Sequence, residues 1–120
     1  MKIAVPAEGN LLDSQICTSF GRTEQFVLVD TETMQFEAMV NQAAHAQGGA
    51  GIVAAQALVD SGVGAVVTMH CGKNAAEVLQ GAGVPIYRGV PGTIEEIVRL
   101  FQNGSLSILE EIHPGHHLGH

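Results

Sequence analysis

Six His and two Cys stand out in a chain of 120 residues that has no Trp and a single Tyr. Three of these donors fall in Gly-rich segments. His45 lies in Ala44-His45-Ala46-Gln47-Gly48-Gly49-Ala50-Gly51, and His70 and Cys71 lie in His70-Cys71-Gly72-Lys73-Asn74. Cys17 sits in a long segment near the N-terminus. Imidazole and thiolate together suit Fe, Cu, Zn or a metal–sulfur assembly, whereas Mg and Ca prefer oxygen. Each residue taken singly also has an ordinary role, as a buried structural Cys or a hydrogen-bonded core His. His70 and Cys71 are neighbours, so both reach one site only if the strand before them has already turned. The remaining His113, His116, His117 and His120 crowd the end of the chain, spaced so that a flexible segment could wrap one divalent metal ion with neutral imidazoles. Pro114, Gly115, Leu118 and Gly119 interrupt them, unlike a purification tag.

Other chemistry is poorly represented. The two Cys have no CxxC spacing, which excludes a zinc knuckle or a thioredoxin-type motif. Cys71 with His70 or His45 is the best nucleophile–base pair available, but no third group orients it. Glu77, Glu95, Glu96, Glu110 and Glu111 fall at positions expected to be solvated, and Asp13 with Asp30 makes no convincing acid/base pair. A cysteine-dependent enzyme is therefore the weakest reading, and no catalytic residue is assigned.

The elements that must position these residues follow from periodicity. Ile3 to Val5 is a short strand expected to end at Pro6. Gln25 to Asp30 and Gln35 to Asn41 form an antiparallel hairpin joined by Thr31 to Met34. From Gln42 onward helices and strands alternate. A first helix carries Ile52, Ala55, Leu58 and Val59 on one face and leads to a buried strand over Val63 to Met69. A second carries Ala75, Val78, Leu79 and Ala82, followed by a strand at Val84 to Arg88. A third begins at Thr93, where Thr93 and Glu96 form a capping box. It presents Ile94, Ile97, Val98 and Phe101, and Gly104 stops it. Five strands and three helices in this order predict an α/β sandwich, one domain over 1–112 with a flexible His-rich tail over 113–120.

In such a sheet, ligands sit beyond the carboxyl ends of the parallel strands, where loops enter helices. Three Gly-rich loops have that position: 44–51, 70–74 and 89–93. Glycine admits backbone N–H groups close to a ligand, and a helix start carries about half a positive charge, so the crevice should favour an anion. None is a Walker A loop and none has the GxGxxG spacing of a dinucleotide site.

The composition narrows the partners. Five Lys and Arg against twelve Asp and Glu give a formal charge of −7, which removes the basic footprint expected for nucleic acid or an anionic membrane. No apolar stretch approaches the roughly 18 residues of a membrane span, and the N-terminus runs directly into a strand without signal-peptide architecture. A reducing cytoplasm and free thiols are expected.

Several of these segments in combination resemble the dinitrogenase iron–molybdenum cofactor biosynthesis family. They are Met1-Lys2-Ile3-Ala4-Val5-Pro6, Asp13-Ser14, and Ser19-Phe20-Gly21-Arg22 before a Phe-Val-Leu-Val-Asp strand. His45 with Gly48-Gly49-Ala50-Gly51, Cys71-Gly72-Lys73-Asn74-Ala75 and Gly92-Thr93-Ile94-Glu95-Glu96 complete the set. The resemblance spans about residues 1 to 110 and takes in nitrogenase accessory proteins of the NifX and NafY type and the molybdenum–copper orange protein of sulfate reducers. It implies a ribonuclease H-like three-layer α/β/α fold with a mixed five-stranded sheet, used as a carrier without turnover. The cargo it implies is a metal–sulfur cluster of Fe–S, Fe–Mo–S or Mo–Cu–S type, with a cluster-donor or acceptor protein as partner. Carried over by position, Phe20-Gly21-Arg22, the loop from His45 through Gly48, Gly49 and Gly51, and His70-Cys71-Gly72-Lys73-Asn74 would line the cluster site. The family often has an Ile-Gly-Pro-Asn-type sequence where this chain has His70 to Asn74, a departure that brings soft donors to the site. The readings carried forward are cluster binding and delivery, with Cys17, His45, His70 and Cys71 as candidate donors, and a mononuclear metal buffer built on the tail.

Overall fold

The computed structural model describes residues 1–109. The predicted boundary at residue 112 and the His-rich tail lie outside the described residues. The elements run β1 (Lys2–Ala7), β2 (Gln25–Asp30), β3 (Phe36–Val40), α1 (Ala50–Asp60), β4 (Ala65–Thr68), α2 (Lys73–Gly81), β5 (Ile86–Arg88) and α3 (Ile94–Gln102). The five strands form one mixed sheet in the order β3-β2-β1-β4-β5. β1 pairs antiparallel with β2 and parallel with β4, β2 pairs antiparallel with β3, and β4 pairs parallel with β5.

Strand alternation distributes the core between two layers. Ile3, Val5, Val27, Val29, Ala65 and Val67 point to one face, where Ile94, Ile97 and Val98 of α3 cover them. Ala4, Phe26, Leu28, Val66 and Ile86 point to the other, under Ala54, Ala55 and Leu58 of α1 and Ala76 and Leu79 of α2. The result is the three-layer ribonuclease H-like α/β/α arrangement, with two helices on one face and one on the other.

Three local expectations need correction. Pro6 does not end β1, which continues to Ala7. Within a strand the N and C=O of one residue face the same side, and Pro6 C=O accepts from Cys17 N–H at 2.8 Å. The missing donor therefore faces the loop and costs β2 no ladder bond. In α1 the buried face is Ala50, Ala54, Ala55 and Leu58, while Ile52 and Val53 are 41% and 52% exposed. In α2, Ala82 is exposed and Ala76 takes its place. The helices meet through alanines and glycines that allow close approach, which turns the bulkier Ile52 and Val53 outward, whereas Ala82 lies past the last turn of α2 as its C-cap.

Candidate functional site

The carboxyl ends of β1 and β4 open onto a cleft of about 360 Å³ lined by Phe20, Gly21, Gly49, Ala50, Gly51, Ile52, Gly72, Lys73, Asn74 and Ala75. Its walls are the first turns of α1 and α2. Gly49 is the N-cap of α1 at φ 71, ψ 13, a left-handed conformation that glycine adopts without steric cost. Gly72 caps α2 in an extended conformation at φ −73, ψ 162. Neither cap supplies a side-chain hydrogen bond, and neither first turn holds an acidic residue. The opening N–H groups of a helix have no intrahelical acceptor, so two uncompensated positive helix ends meet at one cleft. A Cβ built on Gly48, Gly49 or Gly72 would meet nothing within 4 Å, which leaves that space open to a ligand.

Tight packing holds the two starts together. A Cβ on Gly51 would lie 3.1 Å from Ala75 Cβ, and one on Gly21 would lie 3.0 Å from Gly51 N. The 19–24 loop is fixed in turn by Asn41, which is buried. Asn41 Nδ2 donates to Gly21 O at 2.9 Å and Thr23 O at 2.8 Å, while its Oδ1 accepts from Ala43 N–H at 3.1 Å. Nothing in the sequence marks Asn41 beyond its place after a strand, where Asn often bonds the backbone two residues on.

α3 begins differently. Thr93 Oγ1 accepts from Glu96 N–H at 3.2 Å and Glu96 Oε1 accepts from Thr93 N–H at 2.8 Å, the predicted capping box. Ile94 N–H donates to Ser14 O and Glu95 N–H to Leu12 O. The chain itself satisfies this helix start, on the opposite face of the sheet. The expectation that the 89–93 loop joins the other two at one crevice is corrected: two helix starts converge and the third is closed.

The structure separates the remaining candidates. Phe20, Gly21, Gly49, Gly51, Gly72, Lys73 and Asn74 line the cleft, whereas Arg22, His45, Gly48, His70 and Cys71 do not. Arg22 Nη1 donates to Ala44 O at 3.3 Å and to Ala46 O, bracing the 41–47 segment instead of offering its charge to the cleft. His45 is exposed, with Nε2 3.1 Å from Glu24 Oε2. His70 is exposed while Cys71 is 2% exposed, the opposite orientations that alternation requires. Cys17 is half-buried beside Pro6. Among the described residues no three His, Cys, Asp or Glu side chains form a group able to hold a metal ion. Ala50, Ile52 and Ala75, apolar residues of the first helical turns, complete the lining unforeseen.

Burial pushes the Cys71 thiol up to about 11 from 9.0. It is protonated at neutral pH, which argues against a nucleophile or a readily formed thiolate ligand. A raised folded-state pKa contributes stability that is complete below the unfolded value and disappears as pH rises through the folded one. Chemical denaturation should therefore show wild type losing about 2 kcal/mol relative to Cys71→Ala as pH rises from about 9 to about 11. Parallel pH profiles for the two proteins would refute this.

The profile of the family described as dinitrogenase iron–molybdenum cofactor matches residues 1–104. The chain belongs to this dinitrogenase iron–molybdenum cofactor family. Within the family's fold, the apo form of the orange protein from Desulfovibrio gigas superposes with a TM-score of 0.87 at 38% identity, over 91% of this chain and 92% of that one. A candidate NifB protein from Thermotoga gives 0.81 at 35% identity, over 96% and 98% of the two chains. An uncharacterised protein of Methanocaldococcus jannaschii is 31% identical over 113 residues, 92% of each chain. Membership covers the whole cleft, since every lining residue falls within the matched span.

Proposed function

We propose that this protein binds an anionic metal–sulfur cluster in the cleft between α1 and α2 and passes it to an acceptor protein without chemical turnover. The observation that carries this reading is the meeting of two glycine-capped, uncompensated helix starts at one cleft with Lys73 on its wall. Backbone N–H groups donate to the sulfurs of an anionic cluster, and the lysine ammonium balances part of its charge. Such binding uses hydrogen bonds and dipoles, so it needs no thiolate from Cys71 and no complete set of protein ligands. Ile52 and Phe20 add apolar surface beside these donors. Fe–S, Fe–Mo–S and Mo–Cu–S clusters all satisfy this chemistry. The family supports the cofactor-related role, and the net charge of −7 is compatible with it because helix ends act locally while dispersed surface charge is screened within about 8 Å at physiological salt.

The test is anaerobic reconstitution with sulfide and Fe, Mo or Cu, followed by desalting, metal analysis and absorption spectroscopy. Bound metal with inorganic sulfide and charge-transfer absorption is expected, both for the full chain and for a chain ending at Ile112. Metal without sulfide, lost on truncation, would replace the cluster reading with a mononuclear buffer on His113, His116, His117 and His120. No bound metal at all would refute both.

A further inference from the structure

The two edges of the sheet are treated differently. β5 is covered along its outer side, where Arg88 N–H donates to Ser107 O at 2.8 Å, Leu109 N–H donates to Ile86 O at 2.9 Å, and Tyr87 bridges Ile108. β3 has β2 on one side, and among the described residues no strand or bridge lies on the other. An open strand of this kind is normally blunted by Lys, Pro, a bulge or a covering segment. β3 reads Phe-Glu-Ala-Met-Val, with neither Lys nor Pro, and its single charge, Glu37, lies 3.9 Å from Lys2 Nζ.

Which backbone groups face outward follows from the hairpin. Asp30 N–H donates to Gln35 O and Asn41 N–H donates to Glu24 O, so residues 35 and 41 aim at β2. Alternation then turns the N–H and C=O of Phe36, Ala38 and Val40 to the open side. The same three side chains share a face, because Phe36 lies opposite Val29 and Ala38 opposite Val27, both under α3. Phe36 is 40% exposed and Val40 69% exposed, and Ala38 is exposed between them. An apolar stripe and a row of unpaired backbone groups thus coincide.

We propose that this edge joins two copies of the chain, β3 to β3 and antiparallel, about a two-fold axis at Ala38. The strand is self-complementary in that register. Ala38 faces Ala38 of the partner subunit and they exchange both backbone hydrogen bonds. Phe36 faces Val40 of the partner subunit, an aromatic–β-branched pair of the kind that stabilises sheets. Glu37, the only charged residue of the strand, faces Met39 of the partner subunit, so no like charges oppose one another. Glu37 also has its own cation, with Oε2 3.9 Å from Lys2 Nζ. A parallel pairing in register would set Glu37 against Glu37, which selects the antiparallel arrangement. The contact is isologous and closed, which yields a dimer and no fibre. Because β3 runs in the same direction as β1, the antiparallel dimer places the two clefts at opposite ends of a continuous sheet, and both stay open. This contact is independent of what the cleft binds.

Sedimentation equilibrium of the full chain over about 1 mM to about 1 μM reads the association directly. Twice the monomer mass is expected at the upper end, falling toward the monomer on dilution. Ala38→Lys sets two ammonium groups against each other across the axis, and Ala38→Pro deletes an N–H that β2 does not use. Both should be monomeric throughout, with wild-type circular dichroism. Ala38→Val should remain dimeric. A wild type that is monomeric at every concentration, or Lys and Pro variants that dimerise as wild type does, would overturn the proposal.

Discussion

Replacing Lys73 by proline should weaken cluster binding ten- to a hundredfold and leave the fold intact. Lys73 is the first residue of α2, the one helical position where proline is well tolerated, because its N–H has no intrahelical acceptor and its φ is already suitable. The residue before a proline must be extended, and Gly72 is, at ψ 162. The substitution therefore removes an ammonium and one cleft-facing N–H while keeping the helix. A hydrogen bond to a charged partner contributes about 1.5–3 kcal/mol, which corresponds to the stated range. Lys73→Ala removes the ammonium alone, so the difference between the two variants isolates the backbone donor. Anaerobic titration of the apo protein with preformed cluster, followed by absorption, gives both affinities. If Lys73→Pro binds as wild type does, helix-start recognition at α2 is refuted even when the protein carries a cluster. The matching experiment on α1 is less clean, since Gly49 precedes Ala50 in a left-handed conformation that a following proline opposes.

Where sequence and structure agree, the deciding physics is local. β2 alternates between two covered faces, the capping box at Thr93 and Glu96 forms as spaced, and Gly104 stops α3 at φ 72. The cleft was legible for a related reason: glycines at helix starts signal available N–H groups regardless of what surrounds them. The misses are non-local. Nothing near residues 89–93 tells that Leu12 and Ser14 will return to satisfy the start of α3, or that α3 crosses to the other face. The exposed side of α1 departs from the expectation that size predicts burial, because the contact with α2 selects the smallest residues. Cys71 looked like a ligand because of its neighbours, yet its side chain points from the end of β4 into the layer under α1 and α2. Arg22, placed by resemblance in the lining of the cluster site, is instead a brace for the 41–47 segment. In both cases residue type was right for the chemistry, and direction, which the sequence does not encode one residue at a time, decided the role.

Gly21→Ala should destabilise the protein by about 1–3 kcal/mol and impair cluster binding with it. Its new methyl group would lie 3.0 Å from Gly51 N and 3.1 Å from Gly51 Cα. Both are backbone atoms in the first turn of α1, which cannot rotate aside as a side chain would. Either the 19–24 loop withdraws, against the Asn41 and Arg22 bonds that hold it and the 41–47 segment together, or α1 shifts toward α2. The second route presses Gly51 toward α2 at the point where even a Cβ on Gly51 would come within 3.1 Å of Ala75 Cβ. Gly48→Ala is the control from the same cleft region: its Cβ meets nothing within 4 Å, so stability should stay within about 0.5 kcal/mol of wild type. For a domain of 120 residues the Gly21 variant should melt several degrees lower, by about 4 °C for each kcal/mol. Thermal melts of the apo proteins measure this without any ligand, and equal melting temperatures for the two variants would refute the packing argument. Binding then separates the two ways of losing function. Gly21→Ala lowers stability and affinity together because it moves the wall that carries the donors, whereas Lys73→Pro lowers affinity alone because it deletes a donor from a wall that stays in place.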